Sequence, residues 1–207
     1  NTAPGSTLIS DNVIVGMTGD GGGISLECDG VVVVNNTCVG FAVGLHTNYA
    51  DDCRFEFNNF SYNGYHGLNI RYSDDCLIQG NTVVGNGGHG GFIIRDSSGN
   101  LVYNNTVTGN GGIGYYEWDN LYSYNISSQG CDEGNGNMWY CEETMTGNVW
   151  GDYSGEGSYH LDGGVGSVDK YPLATMDLNE ESSIPSFGFL SLFVGLLVLS
   201  WRYRFRR

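Results

Sequence analysis

The feature that most constrains this chain is an internal repeat with a period of about 23 residues. Five segments align under one another, and each opens with a glycine and a short strand-like block, at Gly23, Gly44, Gly67, Gly91 and Gly114. The spacings between these glycines are 21, 23, 24 and 23 residues. A helical solenoid needs apolar residues every 3.6 or so positions over a longer stretch, so these short blocks favour a solenoid of strands.

An asparagine follows the second strand pattern of the repeats, and these residues form a column: Asn12, Asn36, Asn59, Asn81, Asn105 and Asn125. Coils of a parallel solenoid stack about 4.8 Å apart, so equivalent residues lie above one another. Inward amides can then bond one another and the nearby backbone, which satisfies polar groups in a dry core. The alternative is that these asparagines are turn residues in the left-handed conformation.

The repeat predicts an all-β fold, a single-stranded parallel β-helix with a C-terminal capping segment and a C-terminal hydrophobic helix. A content of 34 Gly and 3 Pro fits many tight turns. The predicted organisation is coils over 1–128, an irregular insert and capping module over 129–175, an acidic linker over 176–185, and a hydrophobic segment with an Arg-rich tail over 186–207. Further coils and an export signal are expected upstream of Asn1.

The coils, over about residues 7–128, resemble the right-handed parallel β-helix repeats of pectate-lyase-like and NosD-like proteins. The stretch from Gly147 to Leu173 resembles the module that closes many archaeal NosD-like surface proteins. The resemblance implies a right-handed solenoid displayed at a cell surface. Family members often carry a longer Asp-Gly-rich loop in this module, whereas only Ser154–Ser158 separates Tyr153 from Tyr159 here.

The C-terminal segment is predicted to direct the chain to a membrane. Residues 186–201 are uncharged and precede the basic end Arg202–Arg207. As a helix they would span about 24 Å, and Arg and Trp side chains can bridge the rest of a hydrocarbon core of roughly 30 Å. Basic residues stay cytoplasmic, so the repeats are expected outside the cell. The tail resembles three-part sorting signals, with 184–188 at the motif position, which implies a sorting transpeptidase as a partner.

The charge balance argues against nucleic acid as a partner. The formal net charge is −15, Lys170 is the single lysine, and most of the arginines stand in the last six residues. A polyanion is repelled by such a body. Cations, basic surfaces and neutral glycans remain open as ligands.

Strand alternation predicts one outward stripe along the first strand of the repeats. The stripe contains the candidate ligand-binding residues His46, Arg71, Arg95, Tyr116 and Trp118. Two arginines one coil apart suit a carboxylate or sulfate, and aromatic rings suit stacking on a pyranose. The alternative is a solvated face in which the arginines pair with nearby aspartates: Asp74, Asp75 or Asp96.

Six cysteines suggest either structural disulfides outside the cell or free thiols. Cys131 and Cys141 bracket the predicted insert and are one candidate pair. Cys53 and Cys76 occupy one column of the repeat, at a separation that suits a disulfide as well as stacked thiols. The acids beside this second pair are candidate Ca²⁺ ligands: Asp51, Asp52, Asp74 and Asp75.

These residues lead to two hypotheses of function. The first is a non-enzymatic cell-surface β-helix protein that binds a glycan or a partner protein. The second is a surface polysaccharide lyase or glycoside hydrolase that acts on the same face, although no catalytic residue can be named without the separation of the carboxylates. Four Asn-x-Ser/Thr sequons occur, at Asn35, Asn59, Asn104 and Asn125. We expect the ladder to bury Asn59 and Asn125, which leaves Asn35 and Asn104 as glycan candidates.

Overall fold

The computed structural model describes residues 7–17, 20–87, 91–111 and 128–175, and these residues form a parallel β-solenoid. The chain runs through three sheets in turn, which we name C, A and B, and then rises by one rung. The strands that stack from coil to coil pair in parallel throughout the described ranges. The prediction of an all-β parallel β-helix is confirmed for these residues.

Each sheet takes one short strand from most coils. Sheet C contains β3 (Gly22–Leu26), β6 (Val43–Thr47), β8 (His66–Arg71), β11 (Phe92–Ser98) and β14 (Gly130–Asn135). Sheet A contains β1 (Leu8–Ser10), β4 (Val32–Val34), β7 (Arg54–Glu56), β9 (Leu77–Gln79) and β12 (Leu101–Tyr103). Sheet B contains β2 (Val13–Val15), β5 (Thr37–Val39), β10 (Thr82–Val84), β13 (Thr106–Thr108), β15 (Val149–Trp150) and β18 (Leu173–Ala174). An antiparallel hairpin of β16 (Tyr159–His160) and β17 (Val168–Asp169) completes the described strands.

The core lies between the three sheets, because alternate residues of each strand point inward. Sheet C contributes Leu45, Leu68 and Phe92, which stand in register on successive rungs and are fully buried. Sheets A and B contribute equivalent buried columns, with Phe55, Ile78, Val102, Val83, Val107 and Trp150 among their members. Each strand has only three to seven residues in sheets C and A, so burial on one face and stacking between rungs together hold the fold.

A ladder of side-chain amides, buried on every rung except the first, climbs the corner between sheets A and B. Its rungs are Asn12, Asn36, Asn58, Asn81, Asn105 and Asn148. The side-chain Nδ2 of each rung donates to Oδ1 of the next rung at 2.8–3.1 Å. The backbone N–H of the same residue donates to the same Oδ1. The amides thus bond both to each other and to the backbone within a dry interior.

Two members of the predicted ladder need correction. Asn58 holds the third rung, whereas Asn59 lies in the strand column of sheet B between Thr37 and Thr82 and is only half buried. Asn125 lies outside the described residues, and Asn148 accepts the hydrogen bonds of Asn105 on the rung above it. Asn58 follows the left-handed corner residue Phe57, as Asn36 follows Asn35, which fixes the register.

A second ladder climbs the corner between sheets B and C. It runs through Asn63, Asn86 and Asn110 and ends on Gln129, with side-chain amide contacts of 2.8–3.1 Å. The sequence analysis missed it. Each of the three asparagines precedes a glycine, and Asn-Gly pairs recurring at 23 and 24 residues were the available signal.

Residues 130–150, which the sequence analysis assigned to the insert and capping module, continue the solenoid for one more coil. β14 pairs with β11 in sheet C, Met138 bridges to Leu101 of sheet A, and β15 pairs with β13 in sheet B. β14 contains Asp132 and Glu133, so the hydrophobicity pattern of the sequence did not predict this strand. Asp132 is nevertheless buried, because Oδ2 accepts the indole N–H of Trp139 at 2.8 Å and the hydroxyl of Ser167 at 2.6 Å.

The cap closes the C-terminal end of the solenoid with aromatic rings and a buried carboxylate. Trp150 stacks on Tyr159 with ring centroids 4.2 Å apart. Asp169 is fully buried and accepts the backbone N–H of Asn148 at 2.7 Å and the indole N–H of Trp150 at 2.9 Å. Burial raises the pKa of Asp169, against the effect of these donors. The amide ladder between sheets A and B therefore ends on a side chain that accepts but does not donate.

At two corners an exposed aromatic side chain leans over a glycine of the next coil. Phe57 lies over Gly80, and Tyr62 lies over Gly85. A Cβ at Gly80 would lie 2.5 Å from the Phe57 ring, and the φ of Gly80 is +67°. Glycine is therefore required at Gly80 both by the backbone conformation and by the ring above it.

The chain divides into two compact units, Asn1–Thr175 and Met176–Arg207. The second unit, with the predicted linker, hydrophobic helix and sorting motif, lies outside the described residues. Across the four described ranges, the structure has no helix of the length and apolarity that crossing a bilayer requires.

Candidate ligand-binding face

The outward face of sheet C changes from open to covered along the solenoid. One outward column runs through Ser25, His46, Asn69, Ile93 and Cys131. Ser25 is exposed, His46 and Asn69 are half buried, and Ile93 and Cys131 are fully buried in a small apolar cluster of their own. The face is therefore accessible to a ligand on its first three coils and closed at its C-terminal end.

The second outward column of sheet C contains both predicted arginines. Arg71, Arg95 and Glu133 stand on successive rungs. Nε of Arg95 lies 3.3 Å from a carboxylate oxygen of Glu133, and both side chains are 13% exposed. The structure therefore pairs Arg95 with Glu133, not with the aspartates that the sequence offered as partners.

The predicted aromatic end of the stripe is not formed as expected. The sequence placed Tyr116 and Trp118 on the rung beyond Ile93 and Arg95, but Cys131 and Glu133 hold those positions. Tyr116 and Trp118 lie outside the described residues. The repeat is interrupted after β13, and a period-based alignment cannot detect that the next strand of sheet C comes later in the chain.

Two stacked tyrosines lie at the end of sheet C within the described residues, and the sequence analysis missed them. The rings of Tyr49 and Tyr72 are 4.8 Å apart and nearly parallel, with 10° between their planes. Tyr49 is 65% exposed. The guanidinium of Arg71 lies 4.9 Å from the centre of the Tyr72 ring and donates to the Tyr72 hydroxyl at 3.2 Å. The 23-residue spacing of the two tyrosines was the signal that could have found them.

His46 lies within electrostatic range of this cluster. Partial burial lowers the pKa of His46, the positive charge of Arg71 lowers it further, and the carboxylate of Glu27 acts in the opposite direction. The structure thus brings His46 and Arg71 together, as the stripe predicted, and adds Glu27, Tyr49 and Tyr72. We call these five residues the tyrosine cluster.

The aspartates proposed as calcium ligands have backbone partners in the structure. Oδ1 of Asp51 accepts the N–H of Asp74 at 2.8 Å, and Oδ1 of Asp74 accepts the N–H of Ser98 at 2.6 Å. Asp52 and Asp75 adopt left-handed turn conformations with φ of 55° and 56°. In the described part of the chain, no group of three or more His, Cys, Asp or Glu side chains is placed to hold a metal ion. Calcium binding by these aspartates stays a prediction.

All six cysteines are free thiols in the structure, so neither candidate disulfide is formed. Cys53 and Cys76 do stand on adjacent rungs, and the hydrogen bond between their thiols, together with burial, raises the pKa of Cys76. Cys131 is buried beside Ile93, and burial raises its pKa to about 12. Cys141 directly precedes the turn at 142–145, and hydrogen bonds from Thr144 in that turn lower the pKa of the Cys141 thiol.

The fold and its amide ladders define a class of protein: a single-stranded β-helix whose coils repeat one hydrogen-bonding pattern. The comparison with protein families agrees. A family model described as the right handed beta helix region matches residues 3–132, more than half of the chain, and the chain belongs to this family. The predicted right-handed repeat is confirmed. A search of curated proteins and a search of solved structures each gave no match.

Proposed function

We propose that this protein is displayed outside the cell, anchored through its C-terminal segment, and binds a glycan on the tyrosine cluster without cleaving it. The observation that carries the proposal is the exposed Tyr49 ring stacked on Tyr72 beside the Arg71 guanidinium. A rigid solenoid holds these groups one rung apart before a ligand arrives. Binding therefore requires little ordering of the protein, which favours affinity.

The chemistry of the cluster suits a sugar that carries a carboxylate or sulfate. The flat face of an aromatic ring offers an apolar surface to the C–H groups of a pyranose, and the phenol hydroxyl offers a polar edge. Arg71 supplies a cation that can form two parallel hydrogen bonds to a carboxylate or a sulfate. Arg95, the other predicted anion ligand, is already paired with Glu133. Arg71 stands one rung before Arg95 and is the arginine that contacts the Tyr72 ring.

The extracytoplasmic location and the anchor rest on the sequence. The uncharged stretch 186–201 and the basic end that follows support attachment to a membrane, directly or through a sorting transpeptidase. The acidic body, with a formal net charge of −15 for the chain, supports a soluble and extended display on the outer side. A surface protein with a basic patch is the other class of ligand that this charge would attract.

The test is glycan binding by the full chain in detergent micelles, using a panel of neutral and acidic polysaccharides. We expect Tyr49→Ala to weaken binding about fivefold, because a lost aromatic contact costs about 1 kcal/mol. Arg71→Ala should weaken binding of acidic members about tenfold or more and leave neutral members nearly unchanged. Tyr62→Ala is the matched control, because Tyr62 is 68% exposed and also adopts a left-handed turn, but it stands at another corner.

Each result of this panel separates the candidate functions. Binding that depends on Tyr49 and Arg71 without new sugar ends supports the proposal. Release of reducing or unsaturated ends would show a polysaccharide lyase or glycoside hydrolase instead. Binding that Tyr62→Ala weakens as much as Tyr49→Ala does would show that the tyrosine cluster is not the site.

A further inference from the structure

Three of the four sequons lie in the described residues, and the solenoid holds their asparagines in two different environments. Asn35 and Asn104 are exposed corner residues with φ of 57° each. Asn59 is a half-buried residue of sheet B, where its backbone N–H donates to Asn36 and its carbonyl accepts from Cys38. The same three-residue motif is therefore presented to solvent at two positions and held inside a sheet at the third.

We propose that Asn35 and Asn104 are N-glycosylation sites of the folded protein and that Asn59, the third sequon within the described residues, is not modified. The proposal rests on the extracytoplasmic exposure inferred above. In both proposed glycosylation motifs, the side chain of the middle residue, Asn36 or Asn105, is hydrogen-bonded within the amide ladder. The first asparagine is left outside the ladder, and its exposed carboxamide makes no hydrogen bond among the described residues.

The threonine that completes each motif is half buried beside the same corner. Thr37 and Thr106 flank inward residues of sheet B, Cys38 and Val107, which are fully buried. Alternation along a strand therefore turns both threonines outward, next to their corner. A transferase that reads the hydroxyl and the carboxamide together finds both groups on one accessible edge.

The Asn59 motif is less accessible than the other two. It occupies the rung between Thr37 and Thr82, with parallel bridges to both. Its side-chain Oδ1 is buried and has no hydrogen-bond partner among the described residues. The hydroxyl of its motif is less accessible still, because Ser61 is 2% exposed and its Oγ accepts the backbone N–H of Val84 at 3.1 Å.

The chemistry is a glycosyl transfer from a lipid-linked oligosaccharide pyrophosphate. The carboxamide nitrogen of Asn35 or Asn104 attacks the anomeric carbon of the first sugar. A bond from nitrogen to carbon forms, and the bond from that carbon to the pyrophosphate oxygen breaks. The lipid pyrophosphate leaves with the bonding electron pair, and one carboxamide proton is lost to a base of the transferase.

The two sites share the corner between sheets A and B, which is the corner opposite sheet C. The register of sheet A places Asn35, Phe57, Gly80 and Asn104 on successive rungs. Three rungs of about 4.8 Å separate the sites by about 14 Å. Glycans there would cover the exposed Phe57 edge and leave the tyrosine cluster open.

The experiment incubates the purified full chain with an oligosaccharyltransferase and its lipid-linked oligosaccharide, and measures intact mass and modified peptides. In a background of Asn125→Gln, which limits the count to the described sequons, we expect up to two added glycans, one fewer with Asn35→Gln or with Asn104→Gln, and no change with Asn59→Gln. A synthetic peptide of residues 54–64 must accept a glycan, which shows that the enzyme reads the Asn59 motif. Because the assay is performed in solution, it does not depend on where the cell places the protein.

Two results would overturn the proposal. The first is a folded chain modified at Asn59 as fully as at Asn35 and Asn104, because accessibility would then not decide the site. The second is a folded chain with no glycan at Asn35 and Asn104 while the peptide is modified. A failed localisation experiment in cells, by contrast, would remove the surface role and leave the acceptor sites standing.

Discussion

The register of the amide ladder can be tested by comparing alanine substitutions at two adjacent residues, Asn58 and Asn59. Asn58 is 1% exposed and its side chain forms four hydrogen bonds. Oδ1 accepts the N–H and the Nδ2 group of Asn36 at 2.9 and 3.1 Å. Nδ2 donates to the carbonyl of Val33 at 2.9 Å and to Oδ1 of Asn81 at 3.0 Å.

Asn58→Ala should lower the free energy of unfolding by about 2.5–6 kcal/mol. The backbone N–H of Asn36 loses the ladder acceptor in a buried site, which costs about 1–3 kcal/mol. The other three bonds contribute about 0.5–1 kcal/mol each, because Nδ2 of Asn36 keeps two backbone acceptors and Oδ1 of Asn81 keeps the N–H of residue 58. Asn59→Ala should change stability by no more than about 1 kcal/mol, because its buried Oδ1 has no partner to lose.

The assay is equilibrium unfolding in urea, followed by the fluorescence of the buried Trp139 and Trp150 and by circular dichroism. Unequal midpoints with an unchanged slope would agree with the ladder as described. Equal loss of stability at the two positions, or a larger loss for Asn59→Ala, would refute the register and the argument that buried amides are satisfied rung by rung.

Three further predictions follow from other parts of the solenoid. Gly80→Ala should lower the free energy of unfolding by at least about 1 kcal/mol more than Gly136→Ala does. Both glycines have φ near +68°, but only at Gly80 would the new Cβ lie against an aromatic ring. Equal urea midpoints for the two variants would contradict this. Iodoacetamide at pH 8 should label Cys141 in the native chain far faster than Cys131, because the pKa of Cys141 is lowered and burial raises that of Cys131 to about 12; peptide mass spectrometry gives the order. Because the pKa of His46 is lowered in the folded state, its contribution to stability is present above pH 6.5 and is lost as the pH falls further. His46→Gln should therefore reduce the loss of stability between pH 7 and pH 5, and an unchanged pH profile would disprove that assignment.

The sequence was sufficient for the architecture because the architecture is periodic. Glycines and asparagines recurring at about 23 residues report which residues stack, since a one-rung rise places equivalent positions in contact. The same regularity predicted the outward stripe well enough to bring His46 and Arg71 together. Structural features that repeat in every coil can therefore be predicted from the sequence.

The predictions from the sequence were wrong at two kinds of position: where two adjacent residues both fit the period, and where the period is interrupted. Two adjacent asparagines follow Phe57, and only the corner conformation shows that the first belongs to the ladder. The strand β14 contains two acids, so its hydrophobic pattern is weak, and its buried Asp132 is stabilised by an indole that stands seven residues later. The 23-residue spacing of Tyr49 and Tyr72 places them on adjacent rungs, but the period does not specify that their side chains stack at the corner.

The acceptor-only end of the ladder has a consequence for the length of such a chain. Each asparagine rung offers the next coil the same donors and the same acceptor, so the pattern by itself sets no limit to the number of coils. Asp169 takes the hydrogen bonds of Asn148 and has no N–H on its side chain to pass on. A single carboxylate thus works as a terminator, and whole coils inserted before it should lengthen the rod without altering how it stops.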